Sequence, residues 1–227
     1  MFSSDRRPPV RPDERSVYER VLGEDFARLH PQLRRYFGAI PRGFEGVGSG
    51  SFREAGLRVR VLRPMFAVLG RRRIAFAERG TEVPFRVRNR SGPDGMRVAA
   101  RTFHFSGATR EMSDVIRVER GRLVDRIGTD GEIEVELALR VTNGRLLMRS
   151  RRLALRVLGL RLPLPPFVTV TLEESAGERG VQQVVLRIVA PLVGEIYGYA
   201  GTFTYAHRPV ATEVPVHSRA GDSGERR

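Results

Sequence analysis

The sequence predicts an α+β domain, mainly antiparallel β, with a strongly curved or closed sheet and N-terminal helices packed at one end. Three observations predict it. From Val83 onward apolar residues recur with period two, the spacing of a strand with one buried face. Two hairpin turns are written into the chain, Arg120-Gly121 and Asn143-Gly144, the second with the favoured two-residue chemistry. Helical signals, in contrast, fall before Gly70. So many short antiparallel strands must curl, split or close into a barrel to hide their edges.

In chain order, residues 1–12 and 208–227 are rich in Pro, Arg, Ser, Gly and Asp and read as disordered tails. A single β-rich domain is expected over 13–207. Ser16-Val-Tyr-Glu19 is a capping box, in which the serine caps the helix and the glutamate reaches back. Val17, Val21, Leu22, Phe26 and Leu29 follow it at helical spacing. Pro31 opens a second short helix that runs through Phe37 and stops at Gly38. Gly46-Val-Gly-Ser-Gly50 lacks the spacing and context of a phosphate loop and reads as a turn or a close-packed strand. Residues 57–69 read as a helix or irregular segment with Pro64 inside it. Strands are expected at 83–89, 96–105, 111–119, 122–128, 132–142, 145–158, 167–174, 181–190 and 196–205.

Composition narrows the function. At 227 residues the chain can bury a sizeable core. It has no cysteine, which excludes disulfides, thiolate nucleophiles and cysteine-ligated metals, and fits a cytoplasmic location. The N-terminus has no apolar core for a signal peptide, and no apolar run reaches the length of a membrane helix. The net charge is +14, carried wholly by arginine, because the chain has no lysine. Such a field attracts anions. The arginines are scattered among strands without a basic helix, so a solvated arginine surface is preferred to a nucleic-acid site. Met148 to Val170 mixes arginines with leucines and could rest on an anionic membrane surface. Pro163, Pro165 and Pro166 forbid a continuous amphipathic helix there, and a bulged strand pair joined by a proline corner is preferred.

Candidate site residues come from side-chain alternation. Tyr197, Tyr199, Phe203 and Tyr205 share one strand face, and Gly201 leaves a gap among them. An aromatic stripe broken by glycine is core packing, or it lines a cavity for a flat or oily ligand. A tight hairpin at Arg120-Gly121 sets Ile116 opposite Asp125 and Asp114 opposite Ile127. Two aspartates then lie on an apolar face, and Arg101 shares a face with Phe103 and Phe105 on the preceding strand. Lone buried charges are costly, so Arg101 is expected to pair with Asp114 or Asp125. The cluster reads as a structural ion pair or as a polar anchor inside a ligand cavity. The candidate ligand-binding set is therefore Arg101, Phe103, Asp114, Asp125, Tyr197, Tyr199 and Phe203. No residue set suggests catalysis or a cofactor. His104 falls on the face opposite Arg101, and the other histidines are far apart in sequence, so no metal site is expected.

Several landmarks together resemble the uncharacterised bacterial family called domain of unknown function 4166. They are Tyr18-Glu-Arg-Val-Leu-Gly23, Leu29-His-Pro-Gln-Leu-Arg34, Val83-Pro-Phe-Arg-Val87, Arg101-Thr-Phe-His-Phe105 and Leu123-Val-Asp-Arg-Ile-Gly128. Pro191, Gly194 and Tyr199-Ala-Gly-Thr-Phe203 complete the set, which spans about residues 16–205. Where the family often has tryptophan, two residues before Arg101, this chain has Ala99. Members occur alone or fused to nicotinamide-cofactor-binding reductase-like domains, so the resemblance implies an accessory role. It carries no catalytic residue. Two functions are thus expected: binding of a small hydrophobic or amphipathic ligand in a β-sheet cavity, or docking on a separate reductase-like protein. An enzyme of unknown reaction is the third reading.

Overall fold

The computed structural model describes residues 15–210. Ten strands close into an antiparallel barrel. They are β1 (Phe44–Leu57), β2 (Arg79–Ser91), β3 (Arg97–Phe105), β4 (Ala108–Glu119), β5 (Arg122–Ile127), β6 (Ile133–Thr142), β7 (Arg145–Val157), β9 (Thr169–Ala176), β10 (Gln182–Ala190) and β11 (Gly194–Pro209). The ring closes through the β1–β11 and β6–β7 pairings, so no long edge remains open. A short extra strand, β8 (Leu160–Leu164), pairs with the second half of β7, beyond the part that pairs with β9.

The predicted turns form as the residues dictate. Arg120 and Gly121 have φ of 50° and 73°, and Asn143 and Gly144 have 51° and 73°. Both central residues are left-handed, the turn whose twist matches its strands. β11 runs to Pro209, past the expected domain end at 207, because Phe44 of β1 pairs with Pro209. The expected tail residues 1–12 and 211–227 lie outside the described residues.

β1 is the element that the sequence showed least clearly. Its glycines Gly46, Gly48 and Gly50 face inward. A Cβ on each would run into Tyr205, Val87 and Phe203 respectively. The strand therefore lends its inner surface to neighbouring side chains and shows no apolar alternation. The middle of the Met148–Val170 segment is the β7–β8 hairpin, turned by Leu158 and Gly159 with φ of 50° and 77° and not by the expected proline corner, because Pro163 lies within β8 and Pro165 and Pro166 follow it. The expected bulge is present. Glu136 pairs with Arg152 and Leu137 with Ser150, leaving Arg151 as the extra residue.

The helices sit at the barrel's two ends. At the lid end, α1 (Val17–Leu22) starts at the predicted capping box, with both Ser16 and Glu19 bonds present. It ends at Leu22 instead of continuing to Leu29, because Gly23 turns left-handed at φ 56° and a 3-10 turn takes over at Gly23–Arg28. α2 (Pro31–Phe37) is capped by the His30 side chain and stops at Gly38. At the floor end, α3 (Arg63–Arg71) holds Pro64 in its first turn, where the missing N–H costs nothing. Its Phe66 stacks on Tyr197 at 5.4 Å between ring centroids.

The outer wall carries charge and the inner wall carries apolar groups. Arg90 pairs outside with Glu45 at 3.0 Å, and Glu134 receives Arg126, Arg156 and Arg161. That polarity is the reverse of a lipid-embedded barrel. No helix among the described residues is long and apolar enough to cross a membrane.

Candidate functional site

The lumen has two layers with different chemistry. Nearer the floor is an aromatic layer. Phe52 lies 4.4 Å from Phe85, 5.5 Å from Phe103 and 5.1 Å from Tyr199 by ring centroids, and Phe76 lies 4.8 Å from Phe103. Phe103, Tyr197, Tyr199 and Phe203 are all buried here. The gap expected at Gly201 does not exist. Gly201 pairs with Phe52, and a Cβ there would overlap the Phe52 ring and the Ser51 carbonyl. That part of the stripe is packed core, and the glycine makes room for Phe52.

Above the aromatic layer and under α1 and α2 lies a polar belt. It brings together Arg101 from β3, Asp114 from β4, Asp125 from β5, Glu174 from β9 and Gln182 from β10. The predicted hairpin register holds, with Asp114 opposite Ile127 and Ile116 opposite Asp125. Arg101 and Asp114 form the expected ion pair. Gln182 donates its amide to Glu174. Arg101 sits centrally, because its charge acts on Tyr18, Tyr36, Tyr199, Asp125 and Glu174. Glu174, Gln182, Tyr18 and Tyr36 were not foreseen. Their signal was faint, since Glu173-Glu174 and Gln182-Gln183 are doublets that hide which member faces inward.

Burial shapes the electrostatics. It pushes the Asp125 carboxyl up to about 6 against the pull of Arg101. It pushes Glu174 up to about 7 against the Gln182 hydrogen bond and the two arginines. It also raises Tyr199 to about 12. The Arg101 guanidinium stays firmly charged: burial opposes the charge, but the Asp125 carboxylate and the ion pair with Asp114 support it.

Two features set this belt apart from an ordinary ion cluster. Asp114 Oδ1, Asp125 Oδ1, Gln182 Oε1 and Asn89 Oδ1 are all shielded from solvent and accept no hydrogen bond. Each is an acceptor. Buried polar groups are nearly always paired, so four on the inner face of one barrel are unusual. Second, Arg101 is surrounded by protein on every side, yet 19% of its side-chain surface remains accessible.

Arg97 ties the lid to the barrel wall, alongside Gln32, which donates to the Gly180 carbonyl, and the buried Val17, Leu33 and Phe37. Arg97 donates to the carbonyls of Tyr36 and Gly38, both at 2.6 Å, so it satisfies the C-terminal end of α2. Its guanidinium also lies 5.2 Å from the centre of the Tyr18 ring. Beside it, a groove of about 700 Å³ opens between Ser16, Ile40, Arg42, Ser91, Met96 and Arg97. A second groove, about 690 Å³, lies on the outer wall beside Arg86, Arg88, Thr102, His104 and Arg208. His104 faces outward there, as expected, and bonds Thr109. Among the described residues no group of His, Asp or Glu is placed to hold a metal ion.

Comparison with known proteins places this barrel among relatives. An uncharacterised protein of Bacillus subtilis (strain 168), YndH, is 28% identical over 207 residues, covering 85% of this chain and 98% of that protein. No solved structure matches the chain. The model of the family described as "Domain of unknown function (DUF4166)" matches residues 29–203, from the lid through the aromatic end of β11, and the chain belongs to that family.

Proposed function

We propose that the barrel binds one small amphipathic molecule in its lumen, with the polar end at the Arg101–Asp114–Asp125 belt and the apolar end toward Tyr199 and Phe103. The observation that carries this reading is the set of orphaned acceptors on Asp114, Asp125 and Gln182 in the belt that holds Arg101. Orphaned acceptors call for a donor, so the polar end of the ligand carries N–H or O–H groups. Barrels of this size and larger commonly enclose a ligand.

Two measurements test this. Native mass spectrometry of protein purified from its own host should show a small molecule bound near one per chain. Titration with N-phenyl-1-naphthylamine, an apolar fluorophore with one N–H donor, should saturate near the same stoichiometry. Asp125→Asn keeps the shape and removes the charged acceptor, so it should weaken the probe while Arg86→Gln on the outer wall leaves it unchanged. No co-purifying molecule together with no saturable probe binding would falsify the proposal.

A further inference from the structure

The floor end of the barrel has a surface that the lumen does not explain. Two turns there place leucine at their tips. Leu158, between β7 and β8, is 96% exposed, and Leu192, between β10 and β11, is fully exposed. Both have left-handed backbones, φ 50° and 66°. A bulky side chain is unfavourable in that region, where Gly or Asn is the ordinary choice. Each leucine thus has unfavourable backbone geometry and an unburied apolar side chain at once. Strain of this kind persists at functional sites.

The neighbouring elements on the same end are exposed and apolar too. Val61 and Val68 point outward from the α3 region, and Leu160 and Phe167 from the β8 arm. The chain reaches this end at the close of β1, β7 and β10, and β7, β9, β10, β11 and β1 are consecutive members of the ring. The exposed groups therefore lie along one arc of the rim.

Arginine outnumbers carboxylate on this arc. Residues 55–77, which include α3, contain six arginines and no acidic residue. Residues 146–172, which run from β7 through β8, contain five arginines and no acidic residue, and Arg156 and Arg161 of these lie in the β7–β8 hairpin at the rim. Carboxylates at this end are paired with arginines: Asp130 and Glu132 with Arg72, Glu111 with Arg73, and Glu78 with Arg110. Arg58 holds Glu54 and Glu195, and Arg156 and Arg161 share Glu134. Arg60, Arg63 and Arg71 in the α3 region have no ion pair among the described residues.

We infer that the floor end is a docking face for an anionic lipid bilayer, with Leu158 and Leu192 entering the headgroup region and the arginines of the α3 region lying against lipid phosphates. Apolar tips framed by arginine match such a surface in both of its components. Arginine binds phosphate through two parallel donors and is suited to this role. A protein partner would need carboxylates to meet the arginines and a concave apolar seat for two separate leucines. A bilayer supplies both without a designed fit.

The test is flotation of the full chain with vesicles of phosphatidylcholine alone and with about one third phosphatidylglycerol. The protein should float with the anionic vesicles, float much less with neutral ones, and detach as salt rises. The double variant Leu158→Asn, Leu192→Asn should lose at least about tenfold in binding. Asparagine accepts the left-handed backbone, so this variant keeps its fold and its thermal midpoint should not fall. Equal flotation with neutral vesicles, or undiminished flotation of the double variant, overturns the inference. So does a wild-type dimer that dissolves in the double variant without any vesicle binding, since the face would then be a protein interface. The lumen probe titration reads the other end of the barrel and is independent of this outcome.

Discussion

Gly201 and Arg101 show how one side chain decides what a face of the lumen can do. Gly201 lies across from Phe52, and the ring fills the volume that a side chain would take. Gly201→Ala should therefore overpack the aromatic layer and cost about 1–3 kcal/mol in a urea titration. A neutral result would mean that Phe52 moves aside freely and that the layer is soft. Arg101 acts through charge. Removing it strands Asp114, which is buried with one carboxylate oxygen already orphaned. Arg101→Ala should cost about 3–5 kcal/mol, and adding Asp114→Ala should recover part of the loss. A double variant as unstable as the sum of the singles would show that the two residues do not act as a pair.

At the scale of elements, the lid depends on Arg97 more than on helix propensity. α1 and α2 are six and seven residues long, too short to persist without tertiary support. Arg97→Met keeps the apolar stem and removes both bonds to the α2 carbonyls. Amide exchange at residues 17–37 should then speed up at least about tenfold while β1 and β11 stay protected, the mark of local opening. Equal protection in both proteins would show that the lid is held by its apolar contacts alone. The elements that could be read from the sequence are those whose own residues face the core. β6 alternates cleanly, the hairpin turns carry their glycines, and the inward face of β4 and β5 follows from one register. β1 was hidden because its inward positions are glycine and the packing there belongs to Tyr205, Val87 and Phe203. β8 was hidden because Pro163 and its exposed leucines give no one-sided pattern. The polar belt was half visible for the same reason. Arg101, Asp114 and Asp125 come from adjacent strands with a readable register, whereas Glu174 and Gln182 arrive from across the ring and meet Arg101 only once the barrel closes.

At the scale of the whole molecule, that closure couples stability to pH. Glu174 and Asp125 hold protons in the folded state up to about 7 and about 6, chiefly because burial penalises their charge. In the unfolded chain both return to the ordinary carboxylate range near 4. Between roughly pH 4 and 7 the folded protein therefore binds more protons than the unfolded one, and stability falls as pH rises through that window. Glu78 and Glu134 are shifted the opposite way. The Arg110 hydrogen bond lowers Glu78, and the Arg161 and Arg126 pairs outweigh the effect of burial at Glu134. Their stabilisation fades as pH drops below the ordinary range, so it shapes the acid limb and leaves the neutral window to the belt. Glu174→Gln keeps the shape of the side chain beside Gln182 and removes its titration. The variant should be more stable than the parent at about pH 8, by on the order of 2 kcal/mol, and little different near pH 4. Urea unfolding across this range reads the difference directly. Two parallel curves would mean that Glu174 is solvated in the native state and that the belt is open to water.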